Sequence, residues 1–142
     1  MVAKDRAATR EPTCKVLRAG PEFTGKQGLS YAPGISAQSA GSRALHLQIL
    51  TMPPGARGKA HRHEAHETAI YVLSGHSAMW YGDALEQHMQ AGAGDFVYIP
   101  ASMPHLPYNA SATETCVALI SRTDANEQES VVLMPELEAL HG

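Results

Sequence analysis

The sequence predicts an all-β protein, a single domain closed as a jelly-roll β-barrel. Three observations carry this expectation. Short β-rich runs recur along the chain, each ended by a turn rich in Gly or Pro. No long amphipathic helical pattern is present, which sets aside a doubly wound α/β fold. The length of 142 residues suits one domain, and 44% apolar with 18% charged residues is ordinary for a globular chain rather than a disordered one. A jelly roll is the expected way to close so many short strands and hide their edges.

The elements follow in order. Residues 1–13 are polar and aperiodic and read as a flexible tail, leaving 14–142 as the domain. Val16–Leu17 is a candidate short strand. Residues 18–42 carry glycines, prolines and small residues, the chemistry of loops and turns. From Arg43 the pattern changes. Leu45, Leu47, Ile49 and Thr51 alternate with Ala44, His46, Gln48 and Leu50, the period of a strand with one buried face. On that alternation His46 faces away from Leu45 and Leu47, either as a half-exposed histidine, the favoured reading, or as a base in the pocket. Thr68–Tyr81 is a long β-rich stretch divided at Gly75. Leu85–Gln90, Phe96–Ile99, Thr115–Ser121 and Ser130–Met134 are further strands, and a brief helix follows Pro135. Met52, Tyr71, Met79, Trp80, Phe96 and Tyr98 are candidates for the barrel interior.

Charge and composition exclude several function classes. Eleven basic against 14 acidic residues give a net charge of -3, without the basic footprint of a nucleic-acid binder. No apolar run approaches the roughly 20 residues of a membrane-spanning helix, and the N-terminus lacks the apolar core of an export signal. Cys14 and Cys116 form no CxxC pattern, so reduced thiols in a cytoplasmic protein are expected. No phosphate-binding Gly-rich loop and no GxSxG elbow is present.

The unusual feature is histidine. The chain has eight, and the segment from Gly55 to Thr68 holds His61, His63 and His66, with Glu64 and Glu67 between and after them. His61 and His63 are two apart, so on an extended segment they share a side. Imidazoles grouped in this way can form the inner shell of Zn, Cu, Fe or Ni, and a carboxylate broadens the choice toward Mn. A second segment, Gly94 to Asn109, ends a strand at Pro100, turns, and presents His105. Arg57 and Lys59, just before His61, are candidates for attracting an anionic group, although solvated loop charges are the commoner case.

These two segments resemble the paired motifs of the cupin superfamily. The first reads glycine, five residues, HxH, three or four residues, glutamate, six residues, glycine. Gly55, His61, His63 and Gly75 match it. The second reads glycine, five residues, PxG, two residues, histidine, three residues, asparagine. Gly94, Pro100, His105 and Asn109 match it, with Ser102 where glycine is usual. The motifs span 55–75 and 94–109. More narrowly, HETAIYVLSG, GDFVYIPA and the C-terminal RTDANEQESVVLMPEL are similar to a small single-domain, RmlC-like cupin group whose members are often labelled predicted mannose-6-phosphate isomerases. Fold alone does not fix function, so that label carries little weight.

The resemblance implies a divalent metal held by His61, His63, His105 and one further ligand. Counting back from Gly75 puts the family's glutamate at Thr68, whereas counting on from His63 puts it at Glu67. A regular strand turns His66 inward, and a one-residue bulge turns Glu67 inward. Both remain candidates. The implied metal is Fe, Ni, Zn or Mn, the implied ligand a small molecule, and the implied assembly a homodimer. The expected function is a metal-dependent enzyme on a small polar metabolite, with oxygenase chemistry favoured over isomerase chemistry. Glu67 and Tyr98 are the catalytic candidates. The alternatives are a non-catalytic binding or sensing cupin and a metal-free, epimerase-like one.

Overall fold

The computed structural model describes residues 12–141; most of the expected N-terminal tail lies outside them. In chain order the elements are β1 (Phe23–Thr24), β2 (Ser30–Ile35), α1 (Ala37–Ala40), β3 (His46–Met52), β4 (His61–Arg62), β5 (Thr68–Ser74), β6 (His76–Tyr81), β7 (Gln87–Gly92), β8 (Phe96–Ile99), β9 (His105–Tyr108), β10 (Cys116–Arg122), β11 (Val132–Leu133), α2 (Pro135–Glu138) and a 3₁₀ turn (Ala139–His141). One sheet has the order β1-β2-β3-β10-β5-β8 and the other β11-β4-β9-β6-β7. Every pairing within them is antiparallel. The two sheets stay separate, so the expected closed barrel is corrected to a two-layer sandwich.

Most strands lie where alternation and turn residues predict them. Gly75 divides β5 from β6 at φ +76°, and a Cβ there would meet the Thr115 carbonyl oxygen at 2.4 Å, so the turn demands glycine. The exceptions have local causes. No strand forms at Val16–Leu17. β2 runs through Pro33 and Gly34, residues that signal a loop. Pro33 is tolerated because β1 pairs only with Ser30 and Tyr31, so no strand calls on a donor from Pro33, whose carbonyl accepts from the Gly20 N–H, and because the register shifts between Pro33 and Ile35.

The core between the sheets includes Leu29, Tyr31, Leu50, Met52, Val72, Cys116 and Ile120. β3 presents His46, Gln48, Leu50 and Met52 inward and leaves Leu47 and Ile49 half buried on the outside. The inward phase is thus opposite to the one that Leu45, Leu47 and Ile49 predict; Leu45 is 68% exposed. His46 is fully buried rather than half exposed, with its Nε2 on the Gln48 side-chain oxygen at 3.0 Å. A second cluster of Ala60, Leu85 and Leu106, with Trp80, Met134 and Leu137 against it, sits where the C-terminal segment packs on β6 and β9. Arg57 fastens this segment, donating to the backbone oxygens of His141 and Glu138.

Candidate metal centre

Three short strands position the histidines. In the β11-β4-β9 part of its sheet, His61 pairs with His105 on one side and with Leu133 on the other. The HxH segment is therefore pinned between the second motif and the C-terminal strand. Just past β4, the Ser102 backbone N–H donates to the His63 carbonyl at 2.6 Å, and its hydroxyl donates to the Glu64 carbonyl. Ser102 has φ +66°, which explains why glycine is usual at this position. Asn109 closes the same motif. Its buried side-chain amide donates to the Met52, Pro53 and Glu114 carbonyls, and its oxygen accepts from Ser111 N–H, a structural role.

His61, His63 and His105 are buried, and each offers a ligand atom within 4.8 Å of the others. Ring centroids lie 4.2 Å apart for His61–His105 and 4.9 Å for His61–His63. The Nδ1 atoms contact backbone carbonyls: His61 that of Lys59 at 2.6 Å, His105 that of Met103 at 2.8 Å, His63 that of Ser130 at 3.2 Å. A carbonyl only accepts, so each Nδ1 carries the proton and each Nε2 keeps its lone pair. Burial also disfavours the imidazolium form. It lowers the His61 pKa to about 4, with neighbouring His63 adding to the effect. It lowers His105 well below the usual range, and lowers His63 despite the nearby Glu129 carboxylate. Neutral imidazoles with free Nε2 atoms are the form a divalent metal requires, so the donor set fits such an ion.

A second group shares His63. His66 is buried, and its Nε2 donates to Glu129 at 2.9 Å; the same carboxylate oxygen lies 3.2 Å from His63 Nδ1. The other carboxylate oxygen accepts from Gln27, and Arg122 Nε lies 3.6 Å away. Burial opposes ionisation of Glu129, yet the His66 hydrogen bond and the charge of Arg122, joined on acidification by that of His63, outweigh it and hold its pKa down to about 2. Arg122 is also buried and donates to the Asp124, Asn126 and Glu127 carbonyls. Sequence reasoning misses Glu129 entirely. It lies in the segment between β10 and β11, over 60 residues from His63, and the run Asn126–Ser130 lies outside both metal-binding motifs.

The strand register decides between the two candidates for the fourth ligand. His66, Thr68 and Val72 are buried, whereas Glu67 and Ala69 are exposed. Glu67 is therefore corrected as a ligand. It faces solvent and accepts a hydrogen bond from the Tyr98 hydroxyl at 2.7 Å. Tyr98, itself 59% exposed, lies on the outer face and not in the interior, so neither catalytic candidate reaches the histidines. His66 turns inward but joins His63 and Glu129 rather than His61 and His105. Thr68 stands inward at the position of the family's glutamate.

The three histidines form one wall of a cavity of about 60 Å³ between the sheets. Thr68, Gln48, Ser77 and Glu129 also line it, and apolar side chains make up most of the rest. Met79 reaches it, but Tyr71, Trp80, Phe96 and Tyr98 do not. Trp80 instead stacks on His141 with centroids 3.8 Å apart, and Phe96 is 81% exposed. Arg57 and Lys59 are exposed and outside the lining, so neither serves this cavity.

Known proteins place this geometry in context. Residues 48–121, just over half the chain, match the family model described as cupin domain. Among solved structures, an oxalate decarboxylase mutant from Bacillus subtilis superposes with TM-score 0.67 at 23% identity, covering 80% of this chain and 30% of that one. A Bacillus subtilis oxalate decarboxylase studied for its Mn(II) centres gives the same values. The formate complex of the Lactobacillus farciminis enzyme gives TM-score 0.66 at 18% identity over 84% of this chain and 35% of that one. These identities show a shared fold, and the chain spans about a third of the length of those proteins. No curated protein matches the sequence. No helix among the described residues is long and apolar enough to cross a membrane. With histidines from both motif segments gathered at one wall of the sandwich and the family model covering most of both sheets, the chain belongs to the cupin superfamily.

Proposed function

We propose that this cupin is a metal-dependent enzyme that binds a small molecule beside His61, His63 and His105. The supporting observation is the convergence of three buried imidazoles, each with Nδ1 engaged, on one wall of an internal cavity. A divalent metal held there supplies a Lewis-acidic centre that polarises a substrate oxygen. The chain's own residues do the rest. The Ser130 carbonyl orients His63 through Nδ1, and the Glu129 carboxylate beside it strengthens the ring as a donor, the role outer carboxylates play toward ligand histidines. Thr68 and Gln48 offer hydrogen bonds from the opposite sheet, and the apolar walls exclude water.

Oxygenase-type chemistry is favoured over isomerase-type chemistry. Thr68 faces inward where the glutamate of a mixed shell is expected, and the inner set is of histidines alone, which resembles oxygen-using cupins. The mannose-6-phosphate isomerase label has no support in the cavity, since no lysine or arginine among the described residues lines it to receive a phosphate. The metal-free epimerase alternative needs a histidine–carboxylate pair facing substrate. His66 and Glu129 form such a pair, but His66 does not line the cavity. We further propose that residues 14–142 form the functional unit and that it pairs as a homodimer through the outer face bearing Leu47, Ile49 and Leu119, with Ile35 at its margin.

The test loads the protein with Fe, Mn, Ni or Zn in turn and measures oxygen uptake and product formation over a panel of small organic acids and carbonyl compounds. Metal-dependent turnover of any member supports an enzyme, and oxygen consumption in step with product assigns the oxygenase class. Saturable binding without turnover for every metal supports the sensing alternative instead.

A further inference from the structure

The walls of the cavity restrict what can enter it. Leu50, Ile70, Val97, Ile99 and Ile120 line it from the sheet opposite His61 and His105, and Met79 lines it from their own sheet. Most of the exposed lining is apolar, and two of its polar side chains are engaged. Gln27 donates to Glu129, and the Gln48 oxygen is taken by His46. Thr68 and Ser77 add two hydroxyls.

Charge is equally restrictive. Among the described residues, Glu129 is the charged side chain of the lining, and it is anionic. Arg122 reaches Glu129 and backbone carbonyls rather than the cavity. A substrate carrying a second anionic group would leave it against hydrocarbon without a cationic partner, which is strongly disfavoured. Size narrows the choice further. At about 60 Å³ the cavity is small. A hexose phosphate far exceeds that.

We propose that the site takes a short, predominantly hydrophobic molecule with one anionic, oxygen-bearing head: the head faces His61, His63 and His105, and the hydrocarbon remainder lies against Leu50, Ile70, Val97 and Ile120. This rests on the metal-centre reading above and replaces the polar metabolite expected from sequence with an apolar one.

The experiment uses wild-type protein loaded with Co(II), with metal content per chain measured first. It is titrated with straight-chain monocarboxylates from acetate to hexanoate, and binding is followed by the ligand-field spectrum of the Co(II). Affinity is expected to rise about fourfold per added methylene from acetate to butyrate, then to level off or reverse by hexanoate as the space fills. Butyrate is compared with 3-hydroxypropionate, which has the same carboxylate and the same number of non-hydrogen atoms but a hydroxyl in place of the terminal methyl. Butyrate is expected to bind at least tenfold tighter. In Ala118→Val, which adds bulk at a buried lining position without touching the histidines, the break in the series moves to a shorter acid at unchanged metal content.

A flat series, absence of binding to metal-loaded protein, or a preference for 3-hydroxypropionate overturns the proposal and leaves the metal centre standing. Protein that takes up no Co(II) overturns the metal-centre reading itself, and is recognised before any acid is added.

Discussion

Replacing Glu129 with Gln keeps the shape of the side chain and removes its charge. In the wild type the carboxylate accepts from His66 Nε2 at 2.9 Å and from Gln27 at 3.0 Å, and lies 3.2 Å from His63 Nδ1. Hydrogen bonds to an ionised acceptor contribute about 1 kcal/mol more than neutral ones. Two such hydrogen bonds suggest a loss of about 2 kcal/mol. The pKa leads to a similar size. Lowering the carboxyl from 4.5 to about 2 corresponds to about 3 kcal/mol of preference for the charged form in the folded protein. A group only 11% exposed is little screened by solvent. Urea unfolding of the metal-free protein should register this loss. Because the Glu129 carboxylate also lies beside the His63 Nδ1–H that the Ser130 carbonyl accepts, and so strengthens the ring as a metal donor, Glu129→Gln should weaken metal binding by about 10- to 100-fold, read by competition with a chelator. A folded Glu129→Gln protein that binds metal within twofold of wild type would refute this role.

Three further outcomes are expected. Ser102→Gly relieves the left-handed backbone of Ser102, at the loss of one exposed hydroxyl hydrogen bond, and should raise stability by up to about 1 kcal/mol in urea unfolding. Glu67→Gln should leave metal content unchanged in elemental analysis, because Glu67 lies on the solvent side with Tyr98; a loss of metal would restore it as a ligand. The metal-free protein should lose stability as pH falls from about 6.5 to 4. His61 titrates near 4 when folded and near 6.5 when unfolded, so between those values the unfolded chain binds more protons. His61 alone then contributes about 3 kcal/mol above pH 6.5 that is lost by pH 4. Thermal unfolding across that range checks this, and stability that rises on acidification contradicts it.

Much of the site is legible in the sequence because its information is local. HxH spacing on an extended segment puts His61 and His63 on one side, and fixed spacing around Pro100 delivers His105. The ambiguity between His66 and Glu67 is also local, and is resolved only by the phase of β5, which spacing alone leaves open. Glu129 was not legible. Its approach to His63 depends on β11 pairing with β4, a contact between distant segments that the motif around β4 does not announce. β3 misleads for a different reason. Both of its faces carry apolar residues, and the inward one also carries His46 and Gln48, beside Arg122 and the carboxylate cluster. Hydrophobic alternation assumes that polar residues face water, and here they face a polar end of the interior. Pro33 and Gly34 hide β2 because propensity is weak evidence at a strand edge.

The central claim is that His61, His63 and His105 hold a metal. The most direct measurement is elemental mass spectrometry on protein purified without a histidine tag, beside a His61→Ala/His105→Ala double variant shown to be folded. About one divalent transition metal per chain in the wild type, lost in the variant, is the result predicted. Wild-type protein that is metal-free and takes up none when supplied with Fe, Ni, Zn or Mn, or a double variant that keeps its metal, would contradict it.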